Sequence, residues 1–273
     1  MAENYPIISS DPLFSFYILP IIPTTSKLPR WIKFTKSIFP NTNCTALVVW
    51  NEPNTIGSTL GYPKFTKFIR DITYIPSYHL SVLVGLLLSD AGLSKQKNSQ
   101  NARLGFKQSM IHFPFLFTTF IMLSPFCSSV PYCENALVKN KQYFGIRMDS
   151  RAYPCFTILY HMFYKDKIKI VPADIYNLLT PVALAYWIMG DGKGNFFKGL
   201  YLCTDSFSDY GIVKLMNVLL IRYDIQSNLV KDSGKSRIYI PSTENKKVRL
   251  LVLEHIHPSM HYKILGNYPL KTV

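Results

Sequence analysis

Two stretches of the chain stay apolar over a helical length and stop abruptly at an aspartate. The first spans 78–89 and ends Leu83-Val84-Gly85-Leu86-Leu87-Leu88-Ser89-Asp90-Ala91. The second starts at Thr180-Pro181 and ends Leu184-Ala185-Tyr186-Trp187-Ile188-Met189-Gly190-Asp191-Gly192. Ser77 is placed to cap the first helix. Thr180, followed by a proline at the first helical position, marks the start of the second. After the first aspartate the pattern predicts two strands, the later one over 102–109. A helix over 112–123, strands over 130–139 and 142–149, and a helix over 153–164 follow. After the second it predicts a strand over 198–206 and a helix capped by Ser208 that ends near Arg222. Strands over 225–231 and 236–241 come next, then a last helix beyond Thr243 that carries Leu250, Leu251, Leu253 and Glu254.

One α-β-β-α-β-β-α unit therefore occurs twice, with Asp90 and Asp191 lying 101 positions apart. A repeat of this kind predicts a mixed α/β (α+β) protein built from two similar halves in pseudo-twofold relation. The expected boundaries are an extension over 1–75, a first half over 76–168 and a second half over 169–273. The extension is rich in Pro, Ser, Thr and Asn. Lys27, Arg30, Lys33 and Lys36 recur every three residues around Trp31, which suits either a nucleic-acid-binding arm or a solvated face.

Charge narrows the class of partner. The 273 residues carry a formal net charge of +14, and nearly half of them (48%) are hydrophobic. A chain with a sizeable core and this much positive charge suits a polyanion: DNA, RNA or an anionic membrane surface. A membrane span is not expected, because the apolar run over 14–22 is short and contains Pro20, whereas a spanning helix needs roughly 20 apolar residues. That run also lacks the flanks of a signal peptide. The five cysteines (Cys44, Cys127, Cys133, Cys155 and Cys203) are scattered without a CxxC pair, so reduced, mostly buried thiols are expected.

The aspartates carry the candidate chemistry. A carboxylate at the C-terminal end of an apolar helix faces the negative end of the helix dipole. Two such ends meeting would repel unless a cation lay between them. Mg2+, a hard ion that takes carboxylate and carbonyl oxygens, resolves the conflict. Small residues beside each acid let the backbones approach closely. Two other patterns are set aside. His255, His257 and His261 with Glu254 lack the cysteines of a typical structural zinc site, and Gly190, Gly192 and Gly194 sit in no phosphate-loop pattern.

These two helix ends resemble the paired motifs of the LAGLIDADG homing endonucleases, in their monomeric, organellar intron-encoded branch. The stretch Leu179-Thr180-Pro181 through Ala185-Tyr186-Trp187 to Met189-Gly190-Asp191-Gly192 carries the resemblance best, and the likeness covers about 76–265. The sequence departs from the pattern at Tyr186, where the name motif has glycine, and at Ala91, which replaces the final glycine. The resemblance implies a saddle-shaped fold with two central helices at the interface of the halves and a four-stranded sheet from each straddling the DNA major groove. It implies a monomer that hydrolyses double-stranded DNA at a long site, using Mg2+ held by Asp90 and Asp191, and a mitochondrial location. It also implies that Lys169 and Lys263 approach the active centre.

Strands in a groove read bases and phosphates through alternating side chains. Candidates in the first half are Lys95, Lys107, Gln108, Lys139, Lys141, Gln142 and Arg147. Those in the second are Lys193, Lys198, Lys231, Lys235 and Arg237. Two rival readings keep the same fold: an intron maturase that binds RNA and cuts nothing, and a non-catalytic ribonucleoprotein subunit. Intact Asp90 and Asp191 count against both.

Overall fold

The computed structural model of the protein describes residues 58–265 except 98, 139–140, 196–198 and 233, and for 136–138, 141 and 195 the backbone alone. Helix α1 (Lys67–Ile72) precedes the first apolar helix, α2 (Ser77–Leu88). Strands β1 (Gly92–Ser94) and β2 (Arg103–Ser109), helix α3 (Phe113–Leu123), strands β3 (Tyr132–Val138) and β4 (Lys141–Asp149) and helix α4 (Pro154–Phe163) complete the first unit. A short hairpin, β5 (Tyr164–Lys165) with β6 (Ile168–Lys169), and helix α5 (Ile175–Leu178) connect it to the second. That unit runs α6 (Pro181–Asp191), β7 (Gly192–Asn195), β8 (Gly199–Leu202), α7 (Asp209–Tyr223), β9 (Asn228–Asp232), β10 (Lys235–Ile240), α8 (Asn245–Val252) and α9 (Tyr262–Leu265).

The duplication is visible in the sheets. One has strand order β1-β2-β4-β3 and the other β7-β8-β10-β9, all antiparallel. The register fixes which residues correspond. Three positions beyond each aspartate, Leu93 pairs with Leu104 and Gly194 pairs with Leu200. Leu104 therefore corresponds to Leu200, and Phe106 to Leu202. These last two pair with Met148 and Ile238. Each sheet buries one face, with Leu104, Phe106, Ile146 and Met148 in the first and Leu200, Leu202, Ile238 and Ile240 in the second. Phe106 meets Phe115 of α3 edge to face.

Helices α2 and α6 pack on each other. Val82 to Leu88 are all buried, as are Ala183 to Met189, because each helix touches the other and its own half as well. The contact is too close for side chains at two points. A Cβ at Gly85 would lie 2.3 Å from the Ala183 carbonyl oxygen and 2.5 Å from Cβ of Tyr186. A Cβ at Gly190 would lie 2.4 Å from Oγ of Ser89. Gly85 thus meets the start of α6 and Ser89 meets its end, so the helices run side by side in the same direction. Tyr186 stands at the motif position that Gly85 fills in the first helix, and the missing side chain of Gly85 makes room for it.

Several boundaries differ from the sequence expectation. The cap of α2 is Pro76, with no side-chain bond, and Ser77 is already helical. Thr180 and Ser208 do cap, accepting from the N–H of Ala183 and of Gly211. The helix expected to reach Tyr164 stops at Phe163, and Tyr164 opens the hairpin. Strand β7 was not expected, because Gly-Lys-Gly-Asn offers no alternating apolar signal. Asp224, at φ 53°, ends α7 and delays the next strand to Asn228, leaving Ile225 buried in the connection. The helix expected beyond Thr243 is α8, which ends at Val252 and continues as a 3-10 turn over Leu253–His255, with Leu250 78% exposed, and α9 follows it.

Residues 58–63 clasp the first half. Thr59 donates to the carbonyls of Pro125 and Cys127. Arg151 donates to those of Thr59, Tyr62 and Pro63 while lying over the Phe65 ring. The basic stripe from Lys27 to Lys36 lies outside the described residues. Among the described residues no helix is long and apolar enough to cross a membrane.

Candidate nuclease centre and nucleic-acid interface

The parallel run of α2 and α6 brings their two C-terminal ends together. A Cβ at Gly190 would sit 3.2 Å from Oδ2 of Asp90. Asp90 is exposed and Asp191 is half-buried. Burial pushes the Asp191 pKa up to about 7, and the neighbouring Asp90 charge adds to the rise. Lys169 and Lys263 oppose it. A buried carboxylate this reluctant to ionise, beside a second one, is characteristic of a functional site.

The two lysines take matching positions. Lys169 donates to the carbonyls of Ser89 and Ala91, both at 3.0 Å. Lys263 donates to those of Met189 and Gly190, at 2.5 and 2.8 Å. Each thus satisfies carbonyls that the end of α2 or α6 leaves without helical partners. Burial lowers the Lys169 pKa to about 8, while Asp191 and Asp90 hold it up. Lys263 is lowered too, again by burial and against the pull of both aspartates. Lys169 reaches its place on the β5–β6 hairpin, whose turn residues Asp166 and Lys167 have φ 51° and 66°. Two central residues at positive φ characterise the tight hairpin turn. No glycine announced it in the sequence.

Gln108 has a different place from the one the sequence suggested. It alternates with Lys107 along β2 and faces the helices, 8% exposed. Its Nε2 donates to Oδ2 of Asp90 at 2.6 Å. Its counterpart in the second half is Thr204, two residues past Leu202, and Thr204 donates to the Ser236 carbonyl at 2.7 Å. His112 also belongs to this neighbourhood: burial and Lys263 lower its pKa, and Asp90 opposes them.

The other candidates lie on the sheets. Lys107, Arg147, Lys193, Lys235 and Arg237 occupy the solvent faces, on the sides opposite the buried Phe106, Ile146, Leu202 and Ile238. Lys107 pairs with Glu134 at 2.7 Å. Arg147 holds Asp149 through Nε and Nη2. Arg237 holds Asp205 and Asp232, and Lys235 holds Asp205. Burial works against the Asp149 charge, yet hydrogen bonds from Arg147 and Tyr132 outweigh it and keep its pKa low. Gln142 and Lys231 are exposed but pair with Leu137 and Ser236, on the faces that carry Ile146 and Ile238. Lys95 is exposed just beyond β1. Lys139 and Lys198 lie outside the described residues, as does the side chain of Lys141.

The histidines near the C-terminus are engaged in packing. His257 is buried, within 3.2 Å of the Thr118 hydroxyl and 2.8 Å of the Ser259 hydroxyl, and His261 is 3.2 Å from the Ile256 carbonyl. Among the described residues no group of three or more His, Cys, Asp or Glu side chains could hold a metal ion. Cys127, Cys133, Cys155 and Cys203 are free thiols, and Cys133 is exposed.

Comparison with known proteins agrees with this architecture. Residues 80–248 match the model of the LAGLIDADG DNA endonuclease family. The chain is 31% identical over 204 residues to the cytochrome b mRNA maturase bI2 of Saccharomyces cerevisiae, a match covering 69% of this chain and 47% of that protein. The chain therefore spans about half of that relative's length. It is 27% identical to a probable intron-encoded endonuclease of Wickerhamomyces canadensis, over 76% of this chain and 94% of the relative. Its fold is similar to that of the homing endonuclease I-WcaI bound to its DNA recognition sequence, with a TM-score of 0.69, 25% identity, and coverage of 76% of this chain and 96% of that one. With two superposable sheet registers, two helices meeting at paired aspartates and a family match over most of its described length, the chain belongs to the LAGLIDADG DNA endonuclease family.

Proposed function

We propose that the protein is a site-specific endonuclease that hydrolyses both strands of duplex DNA with Mg2+ held by Asp90 and Asp191. The observation that carries this reading is the convergence of two carboxylates at helix ends whose own carbonyls are already satisfied by Lys169 and Lys263. The donor set fits a hard divalent cation. Both side chains are carboxylates, and burial together with the Asp90 charge pushes the Asp191 pKa up to about 7 despite Lys169 and Lys263, so a cation between them is favourable. Two protein ligands leave room for phosphate and water oxygens. When bound, the ion would supply a Lewis acid at the scissile phosphate.

The chain's own residues do the rest. Gln108 fixes one oxygen of Asp90 and so sets the direction of its carboxylate. Lys169 and Lys263 place positive charge where the helix dipoles are negative, which steadies both acids and favours an approaching phosphate. The outward faces of the two sheets supply contacts to bases and backbone. We divide the chain into an N-terminal segment over 1–75, of which 58–63 packs on the first half, and half-domains over 76–168 and 169–273. The resemblance to monomeric, organellar intron-encoded proteins leads us to place the protein in the mitochondrion as a monomer.

A second reading rests on one observation: a relative at 31% identity is a cytochrome b mRNA maturase. In that reading the protein binds its intron RNA and assists splicing. The deciding experiment incubates purified protein with the intronless insertion locus, with Mg2+ and with EDTA, beside a splicing assay on the intron. Mg2+-dependent double-strand cuts support the first reading. Splicing help without any cut replaces it with the second.

A further inference from the structure

Arg147 and Arg237 occupy corresponding positions in the two halves. Each lies one residue before the partner of a matched strand residue: Met148 faces Phe106 and Ile238 faces Leu202. Both arginines lie on the solvent faces, with side chains 31% and 18% exposed. Both are held by carboxylates rather than extended into water. For Arg147 the holder is Asp149, which accepts from Nε at 3.1 Å and from Nη2 at 3.0 Å. Asp149 is itself fixed by the Tyr132 hydroxyl at 2.7 Å. For Arg237, Asp205 accepts from Nε at 3.1 Å and from Nη2 at 3.3 Å. Asp232 accepts from Nη1.

The same edge of the guanidinium is used in both halves. In Arg237 Asp232 already holds Nη1, whereas in Arg147 the carboxylate on the Nε–Nη2 edge leaves the Nη1–Nη2 end of the fork to face a ligand. That end matches two acceptors in a plane, which the major-groove edge of guanine presents as O6 and N7. The first half adds a floor. A Cβ at residue 105 would lie 3.1 Å from Oδ1 of Asp149 and 3.2 Å from Nη2 of Arg147. Gly105 therefore lets the pair lie flat on the sheet, ready for a base edge to approach. A lysine serving phosphate needs no such bracing, since phosphate is recognised as charge.

We propose that Arg147 reads one guanine in the half-site under the first sheet, and that Asp149 is the positioning residue that holds its fork. The proposal rests on the endonuclease reading and adds to it a constraint on the target. Phosphate contact by the same arginine predicts no base preference at all.

The test measures binding of the full chain, in EDTA, to a library of duplex sites with randomised base pairs. The parent should enrich guanine at one position of the half-site under the first sheet. Arg147→Ala should erase that preference by about 10-fold or more, and Arg237→Ala should leave it intact. Arg147→Lys keeps the charge without the fork, so it should lose the same preference while retaining average affinity. Asp149→Asn should weaken that one preference without lowering average affinity. Lys193→Ala should instead weaken all sequences alike and reduce the salt dependence. Parental base preferences at every position in both Arg147→Ala and Arg147→Lys would overturn the proposal. If the parent enriched no duplex sequence, the endonuclease reading would fall first and this inference with it.

Discussion

Gln108 donates its amide hydrogen to Oδ2 of Asp90 at 2.6 Å, whereas Thr204, at the matching position of the second half, turns to the Ser236 carbonyl. The two halves of the centre are therefore chemically unequal, although the helices that build them are alike. Losing Gln108 should slow the strand cut that depends on Asp90 orientation far more than the other. Removing one preorganised donor costs about 100- to 1,000-fold in rate where the geometry is critical. Gln108→Leu should therefore convert supercoiled plasmid to a nicked form that persists. Equal slowing of both cuts, with no nicked intermediate, would show that Gln108 serves both halves.

The aspartates themselves set a sharper expectation. Asp90→Asn and Asp191→Asn should each abolish double-strand cleavage and leave specific DNA binding in place. Asparagine keeps the shape but loses the charge that makes a carboxylate the better ligand for a hard cation. Removing like charge from adjoining helix ends also relieves repulsion, so both variants should fold. Parental cleavage rates in either variant, measured in Mg2+, would remove that residue from the metal site.

The helix contact makes a stability prediction with an internal control. Gly85→Ala should destabilise the protein by about 1–3 kcal/mol, because its Cβ would strike the Ala183 carbonyl oxygen, a backbone atom that cannot step aside. Gly190→Ala strikes the Ser89 side chain instead. Ser89→Gly should therefore restore much of what Gly190→Ala loses and nothing of what Gly85→Ala loses. Melting temperatures of the three single variants and the two doubles check the pairing.

The duplicated unit, the ends of both central helices and the two aspartates were legible from sequence, because long apolar runs interrupted by a charge are strong local signals. The convergence of Lys169 and Lys263 on those ends could be anticipated only from family resemblance. Their neighbourhood is set by a hairpin turn with no glycine and by a four-residue helix, neither of which has a periodic signature. Gln108 was assigned to the DNA-reading face with Lys107, although strand alternation puts neighbours on opposite faces; a polar residue on the buried face was the signal that could have found it. The ion pairs of Arg147 and Arg237 with Asp149, Asp205 and Asp232 were not legible at all. Arg147–Asp149 lies within β4, while Arg237 reaches Asp232 on β9 and Asp205 in the loop after β8, and composition gives only the charges, not the register that joins them.

The last prediction concerns pH. Asp191 holds its proton in the folded protein up to about pH 7, against 3.8 for an ordinary aspartate, because burial and Asp90 disfavour its charge. Between those values the folded state binds more protons than the unfolded chain, so the stability that this group contributes is full below about 3.8 and is lost as pH rises through about 7. The loss should be on the order of 1–3 kcal/mol, once the side chain's partial contact with water is allowed for. Lys169 acts in another window. Its pKa is lowered to about 8 from 10.5, so its contribution makes stability rise with pH between those two values. Metal-free protein should therefore melt at falling temperature from pH 4 to 7, and Asp191→Asn should flatten that slope. Mg2+ competes with the proton for the same carboxylate. Its stabilising shift should be small at pH 5.5 and should grow as pH passes 7 in the parent, and Asp191→Asn should show little shift at either pH. A Mg2+ shift of equal size at pH 5.5 and pH 8 would mean that the ion does not require ionised Asp191, and the carboxylate pair would then not be its site.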